Sequence, residues 1–134
     1  MSSLVCDIVT PAEKLYSQEA YMVTVPGIEG SMGYLQGHEP LVSVLSDGIA
    51  RIQPSSDAEV QRFVLQGGYV EVTGEKVIIL ADRACPVEAV DAEAVAVKLA
   101  ALEADLAASS GDAAERALLA TDIAWCKAQM GALA

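Results

Sequence analysis

The only histidine, His38, and the three cysteines, Cys6, Cys85 and Cys126, are the side chains that could offer nucleophilic, acid–base or metal chemistry. A Ser-His-acid triad would have to use His38, and no serine stands at a spacing that nominates it. Zinc takes three or four His, Cys or carboxylate ligands, and one His with three scattered Cys is a poor set. The cysteines are odd in number and form no C-x-x-C pair, so they read as small buried hydrophobes of a reducing compartment. There is no phosphate-binding P-loop, no dinucleotide fingerprint and no G-x-S-x-G elbow. The reading is a chain with no catalytic residue and no metal, in which His38 is a turn residue bonded to backbone.

The most distinctive stretch runs from Gly27 to Val42, with glycines at 27, 30, 33 and 37. A phosphate cradle would need a helix N-terminus and a cation beside it. Here Pro40 and a β-branched run follow, with acidic Glu29 and Glu39 alongside. The stretch therefore reads as a connected set of tight turns that could serve as an exposed docking tip.

The elements that must carry these residues divide near residue 85. Residues 1–84 hold 8 of the 10 glycines and 4 of the 5 prolines, whereas residues 85–134 hold 17 alanines. Glycine and proline punctuate turns and alanine favours helix, so a strand-rich part precedes a helical one. Leu4–Val9, Tyr21–Val25, Leu41–Leu45 and Lys76–Leu80 are β-branched runs bounded by turn residues. Gly67-Gly68 links Arg62–Leu65 to Tyr69–Val72 and reads as the two-residue turn of a β-hairpin. Strands at this spacing predict an antiparallel β-sandwich or flattened barrel over residues 1–84.

Residues 85–134 predict a two-helix antiparallel hairpin. Pro86 ends the preceding strand, and Asp91 can cap a helix striped by Val95, Leu99, Leu102 and Leu106. Ser109-Ser110-Gly111 breaks it, and Asp112 with Glu115 opens a second helix. Leu119, Ile123, Cys126, Met130 and Leu133 form its stripe, with Leu118 and Trp125 beside it.

With 8 Lys and Arg against 19 Asp and Glu, the formal charge is -11. Such a chain repels phosphate backbones and anionic lipid, which argues against nucleic acid and membrane-surface binding. No uncharged apolar run approaches the roughly 20 residues of a membrane span, and the N-terminus lacks the layout of a secretory signal. A soluble, cytoplasmic setting is expected, without direct membrane insertion.

Set in order, Glu29-Gly30 with Gly33, Gly37-His38 with Pro40-Leu41, Gly67-Gly68-Tyr69-Val70-Glu71-Val72 and Val77-Ile78-Ile79-Leu80-Ala81-Asp82 resemble the epsilon subunit of the bacterial F-type ATP synthase. Val9-Thr10-Pro11 and Gly48-Ile49-Ala50-Arg51-Ile52 fit as well, and the resemblance covers nearly the whole chain. It implies a non-catalytic rotor subunit at the foot of the central stalk, peripheral on the cytoplasmic face of the membrane. Its sandwich would bind the gamma subunit, with His38 and Leu41 as contact candidates. The loop Glu29, Gly30, Ser31 and Met32 would face the c-ring. The helical hairpin would lie on the sandwich or extend to the catalytic alpha and beta subunits and block ATP hydrolysis.

Two departures from the family pattern matter. Members that bind ATP as a regulatory ligand carry an arginine three residues after the position of Asp91, and here Ala94 stands there. No cofactor is therefore expected, and Asp91 reads as a helix cap instead of a nucleotide-binding residue. Secondly, residues 85–134 carry Lys98, Arg116 and Lys127 against eight acidic residues, a net -5. That hairpin is repelled by an acidic partner, so inhibition is weak or rests on apolar contacts of Leu118, Trp125 and Met130. The residues alone leave two other classes open: a free-standing sandwich adaptor or ligand-binding module with a helical dimerisation hairpin, and a small hydrolase using His38.

Overall fold

The computed structural model describes residues 4–35, 37 and 40–133. Ten strands come first: β1 Leu4–Val9, β2 Lys14–Ala20, β3 Met22–Gly27, β4 Gly30–Leu35, β5 Leu41–Val44, β6 Gly48–Gln53, β7 Gln61–Gln66, β8 Tyr69–Val72, β9 Lys76–Leu80 and β10 Arg83–Pro86. A 3-10 turn, Val87–Ala89, leads into helices α1 Ala92–Ala108 and α2 Ala113–Gly131. The strands form two five-stranded sheets: sheet I in the order β2-β1-β9-β8-β5, and sheet II in the order β10-β7-β6-β3-β4. The predicted sandwich followed by a helical hairpin is thus the observed architecture. The pairing is antiparallel except between β1 and β9, which run parallel.

Alternation along each strand sends one set of side chains inward. Leu4, Cys6 and Ile8 of β1, Val70 and Val72 of β8, and Val77 and Ile79 of β9 meet Val23, Val25, Ala50, Ile52, Phe63 and Leu65 from sheet II in one core. Aliphatic side chains dominate it, as the low aromatic content requires. Among the described residues, the one ring pair is Tyr16 edge-on to Phe63, with centroids 5.1 Å apart.

Two sequence expectations change here. Gly67-Gly68 does not close a hairpin, because β7 belongs to sheet II and β8 to sheet I. The glycines instead carry the chain across the sandwich, at φ 60° and 97°. The stretch from Gly27 to Val42 is not wholly turns either. Gly30–Leu35 is a regular strand pairing with β3, and Gly33 sits in it with no close contact at its Cβ position. An edge strand needs pairing on only one side, so glycine is tolerated there. The composition boundary at 84/85 falls inside β10, whose last residue is Pro86.

The hairpin lies on the outer face of sheet II. Val64, fully buried, together with Ile49, Cys85, Val87 and Val90, packs against Trp125, Ala128 and Ala132. Polar links run along the same seam. Gln66 Nε2 donates to the Thr121 carbonyl at 2.9 Å, and Arg83 Nη2 meets Asp122 Oδ1 at 2.6 Å. Asp91 and Asp112 cap the two helices, accepting from the backbone N–H of Ala94 at 3.1 Å and of Glu115 at 2.9 Å. Asp91 is a cap, as its position before an Ala-rich run predicts.

Candidate functional site

Because the hairpin covers sheet II, the outer face of sheet I is, among the described residues, the broad uncovered surface of the sandwich. Strand register aligns its outward side chains in rows. Val44 stands opposite Tyr69, Tyr69 opposite Leu80, and Leu80 opposite Val9. Val44, Tyr69 and Leu80 are 48%, 54% and 37% exposed, and Val42 beside them is 70% exposed. A groove of about 520 Å³ runs along this row and is closed at one end by Thr10 and Pro11. Isolated apolar residues on a surface are ordinary, but a row held in register across four strands is a built patch.

The next row carries the face's electrostatics. Asp7 sits between Ile78 and Ser17 and is only 3% exposed. Ser17 Oγ donates to Asp7 Oδ1 at 2.6 Å, while the ammonium groups of Lys76 and Lys14 lie 3.2 and 3.7 Å from Oδ2. Burial alone would push this carboxyl up. The Ser17 hydrogen bond, the Lys76 ammonium and the Lys14 charge outweigh it and hold the group below its ordinary value. Lys76 and Lys14 thus place two ammonium groups over Asp7 beside the apolar row, with Glu71 opposite Ile78 on the other side.

The residues singled out from sequence are scattered. Ile28 and Glu29 form the tip between β3 and β4, where Gly27 pairs with Gly30 and Gly30 takes the positive φ of 125°. Gly30 and Ser31 open β4 at the surface, and Met32 packs against the core. Ile28, 63% exposed, completes the tip and was not singled out. Leu41 also packs against the core, so its neighbour Val42 presents the outward side chain of β5. His38 lies outside the described residues. Leu118 is 69% exposed, Trp125 is committed to the seam with sheet II, and Met130 is half-buried. Leu118, Trp125 and Met130 therefore do not form one free surface.

The cysteines stay apart from this face. Burial, helped by the Asp7 charge, pushes the Cys6 thiol up to about 12. Burial also raises Cys85, although Gln129 Nε2 lies 3.8 Å from its sulfur. Cys126 is buried in α2. Among the described residues, no group of three or more His, Cys, Asp or Glu is placed to hold a metal ion. No helix among them is long and apolar enough to cross a membrane.

Residues 3–87 match the family model described as ATP synthase, delta/epsilon chain, beta-sandwich domain. The full chain aligns with the ATP synthase epsilon chain 2 of Ralstonia nicotianae at 37% identity, covering 99% of this chain and 94% of that one. The chain belongs to the ATP synthase epsilon family. A second epsilon chain, from Polynucleobacter necessarius, is 36% identical and covers 100% of this chain and 96% of its own length. A chain of the Euglena gracilis mitochondrial ATP synthase, solved as OSCP/F1/c-ring, superposes with a TM-score of 0.78 at 25% identity over 100% of this chain and 83% of that one. A chain of the Tetrahymena thermophila mitochondrial central stalk and c-ring shares the fold, with a TM-score of 0.58, 14% identity, and coverage of 98% and 96%. The family model covers the sandwich, and the two epsilon chains align over the hairpin residues as well.

The outward row on sheet I escaped the sequence reading, although its signal was present. Val44, Tyr69 and Leu80 occupy alternate positions to buried neighbours in strands already recognised. Missing was the strand order, which brings β5, β8, β9 and β1 side by side.

Proposed function

We propose that this epsilon-family chain is a non-catalytic subunit of a rotary ATP synthase, sitting in the central stalk and coupling rotation of the c-ring to the catalytic head. The observation that carries the reading is the uncovered row Val44–Tyr69–Leu80–Val9 on sheet I, opposite a sheet II already covered by the chain's own hairpin. This row is the docking face for the gamma subunit, with the Lys76 and Lys14 ammonium groups setting register. The tip formed by Ile28, Glu29, Gly30 and Ser31 faces the c-ring. Within the complex the subunit is peripheral, on the cytoplasmic face of the membrane.

The hairpin is the regulatory part. In the arrangement described, α2 is held on sheet II and only Leu118 of the three apolar candidates is offered outward. Extension toward the alpha and beta subunits would have to break the Trp125 seam and the Arg83–Asp122 bridge. With a net charge of -5 over residues 85–134, contact with an acidic partner gains nothing from charge. Weak inhibition of hydrolysis follows, resting on apolar surface.

The test adds the purified chain to an ATP synthase core stripped of this subunit and measures binding and ATPase rate. Val44→Glu and Tyr69→Glu are expected to weaken binding at least ~50-fold while leaving the melting temperature within a few degrees, because both side chains are exposed. Wild-type binding to both variants would reject the docking face. Failure of the wild-type chain itself to bind would reject the rotor assignment.

A further inference from the structure

Of the eight Lys and Arg residues, four have partners in the structure. Lys14 and Lys76 face Asp7, and Arg83 faces Asp122. Arg116 donates to the carbonyls of Ser109 at 3.0 Å and Leu106 at 3.4 Å. Among the described residues, Arg51, Arg62 and Lys127 take part in no hydrogen bond or ion pair, nor does Lys98 on α1. Arg51 and Arg62 stand directly opposite each other on antiparallel β6 and β7. Like charges in that position destabilise a sheet, and the chain has 19 acidic residues that could have relieved them.

What lies over the pair resolves the conflict. Arg51 and Arg62 follow Ile49 and Val64 on the outer face of sheet II, and Ile49 and Val64 are covered by Trp125 and Ala128. Continuing in the same direction, α2 reaches its C-terminal end. Arg51 lines a groove with Lys127, Gly131 and Ala132, and Arg62 lines the adjoining groove with Leu133. The last carbonyls of a helix lack intrahelical partners and carry partial negative charge. The last turn of α2 contains no basic residue of its own to meet that charge. The last turn of α1 contains none either, and there Arg116 reaches across from α2 to supply it.

We propose that the Arg51–Arg62 pair is a cationic seat on the sandwich that holds the C-terminal end of α2, strongly enough to outweigh Lys127 of α2, which faces the same groove as Arg51. The seat is electrostatic and long-range, and it acts beyond the apolar seam around Trp125. A free anion is the competing occupant. The negative end of α2 already fills that field, which disfavours a second negative group. Asp47 lines the groove of Arg51, and Glu59 and Glu88 line that of Arg62, yet none of them forms an ion pair with either arginine; departure of α2 leaves the facing arginines with those acids alone, so the seat biases the intact chain toward the docked hairpin. Nothing in this inference depends on the chain's assembly into a larger complex.

The experiment is hydrogen exchange on the intact chain at low and high salt, comparing wild type with Arg51→Gln, Arg62→Gln, the double variant and the charge-keeping Arg51→Lys/Arg62→Lys. At low salt, amides in the last two turns of α2 are expected to exchange about 2- to 5-fold faster for each arginine neutralised. The lysine variant stays near wild type, and the effect fades at high salt, where surface charges are screened. Core amides of β6 and β7 serve as the internal control, because loss of Arg–Arg repulsion protects them or leaves them unchanged. Wild-type exchange in the same turns rises with salt, a readout that requires no variant. Unchanged exchange at the end of α2 in the double variant overturns the seat. So does saturable binding of pyrophosphate to wild type that the double variant abolishes, which would make the pair an anion site.

Discussion

Gly68 and the carbonyl oxygen of Leu80 are so close that a Cβ built on Gly68 would lie 1.8 Å from it. The contact is where the chain, having left sheet II at Gln66, turns beneath the end of β9 to start β8 in sheet I. The neighbouring Gly67 N–H donates to Asp47 Oδ1 at 3.0 Å, and Gly68 accepts from the Leu45 N–H at 2.9 Å. Two sheet-to-sheet crossings, Ser46–Gly48 and Gly67–Gly68, are thereby tied together at one corner of the sandwich.

Gly68→Ala is therefore expected to be among the most damaging single changes in the chain. It combines a left-handed φ of 97° with a backbone collision that no side-chain rotation relieves. The expected cost is about 2–4 kcal/mol, read as a lower urea midpoint at unchanged slope. The same substitution at Gly74, which has no atom within 4 Å of its Cβ position, serves as the comparison. Equal midpoints for the two variants would contradict the close-approach account.

That corner also marks where the fold stopped being legible in sequence. Gly-Gly between two alternating runs is a strong local hairpin signal, and nothing local distinguishes it from a crossing between sheets. Both need positive φ, and only the strand order separates them. The central strands β1, β3 and β9 were legible because β-branched runs are what a doubly paired, half-buried strand demands, and the edge strand β5 was legible because it is equally β-branched. The edge strands β2 and β4 were not, since Lys14–Ala20 is mostly polar and Gly30–Leu35 contains two glycines. Both helices and their Asp caps were legible, because caps and Ala-rich runs are local. The docking face was not, because it exists only once β5, β8, β9 and β1 lie side by side.

The cysteines make a second prediction. Cys6 is fully buried with its thiol held near about 12, and Cys126 is 1% exposed, whereas Cys85 is half-buried at the hairpin seam. Thiolate is the reactive form, so iodoacetamide at pH 8 should leave Cys6 unmodified in the native chain, and Cys126 is spared because burial shuts out the reagent. Any slow labelling falls on Cys85, and all three react in denaturant. Mass spectrometry of tryptic peptides reads this directly, and native labelling of Cys6 ahead of Cys85 would contradict the burial order.

Asp91 makes a third. Its carboxylate is occupied by the Ala94 N–H, and Ala94 offers no cation to a phosphate. Asp91→Ala should cost about 1 kcal/mol of hairpin stability through loss of the cap. Millimolar MgATP should shift neither the wild-type melting temperature nor amide exchange in α1. An ATP-dependent stabilisation that Asp91→Ala removes would instead make this residue a nucleotide ligand.

The buried carboxylate of Asp7 ties the stability of sheet I to pH. Its Ser17, Lys76 and Lys14 partners hold the folded-state value below the ordinary one, against the opposing effect of burial. A group depressed on folding adds stability that is fully present above the unfolded value, about 3.9 for Asp, and is lost as pH falls through the folded value. Asp7→Asn keeps the shape, removes the charge and leaves both lysines without a counter-charge. At pH 7 the variant is expected to be less stable by about 1–3 kcal/mol, discounted toward the lower end because Lys14 and Lys76 are half exposed. Below about pH 4 the gap should narrow, since the wild-type carboxyl then takes up a proton and loses the same attraction. Urea midpoints measured in parallel from pH 7 down to acid unfolding separate this group from the other carboxylates, which both chains share and whose effects cancel in the difference. A gap that stays constant into strong acid, or widens there, would mean that Asp7 contributes through packing and its Ser17 hydrogen bond alone, and not through its charge.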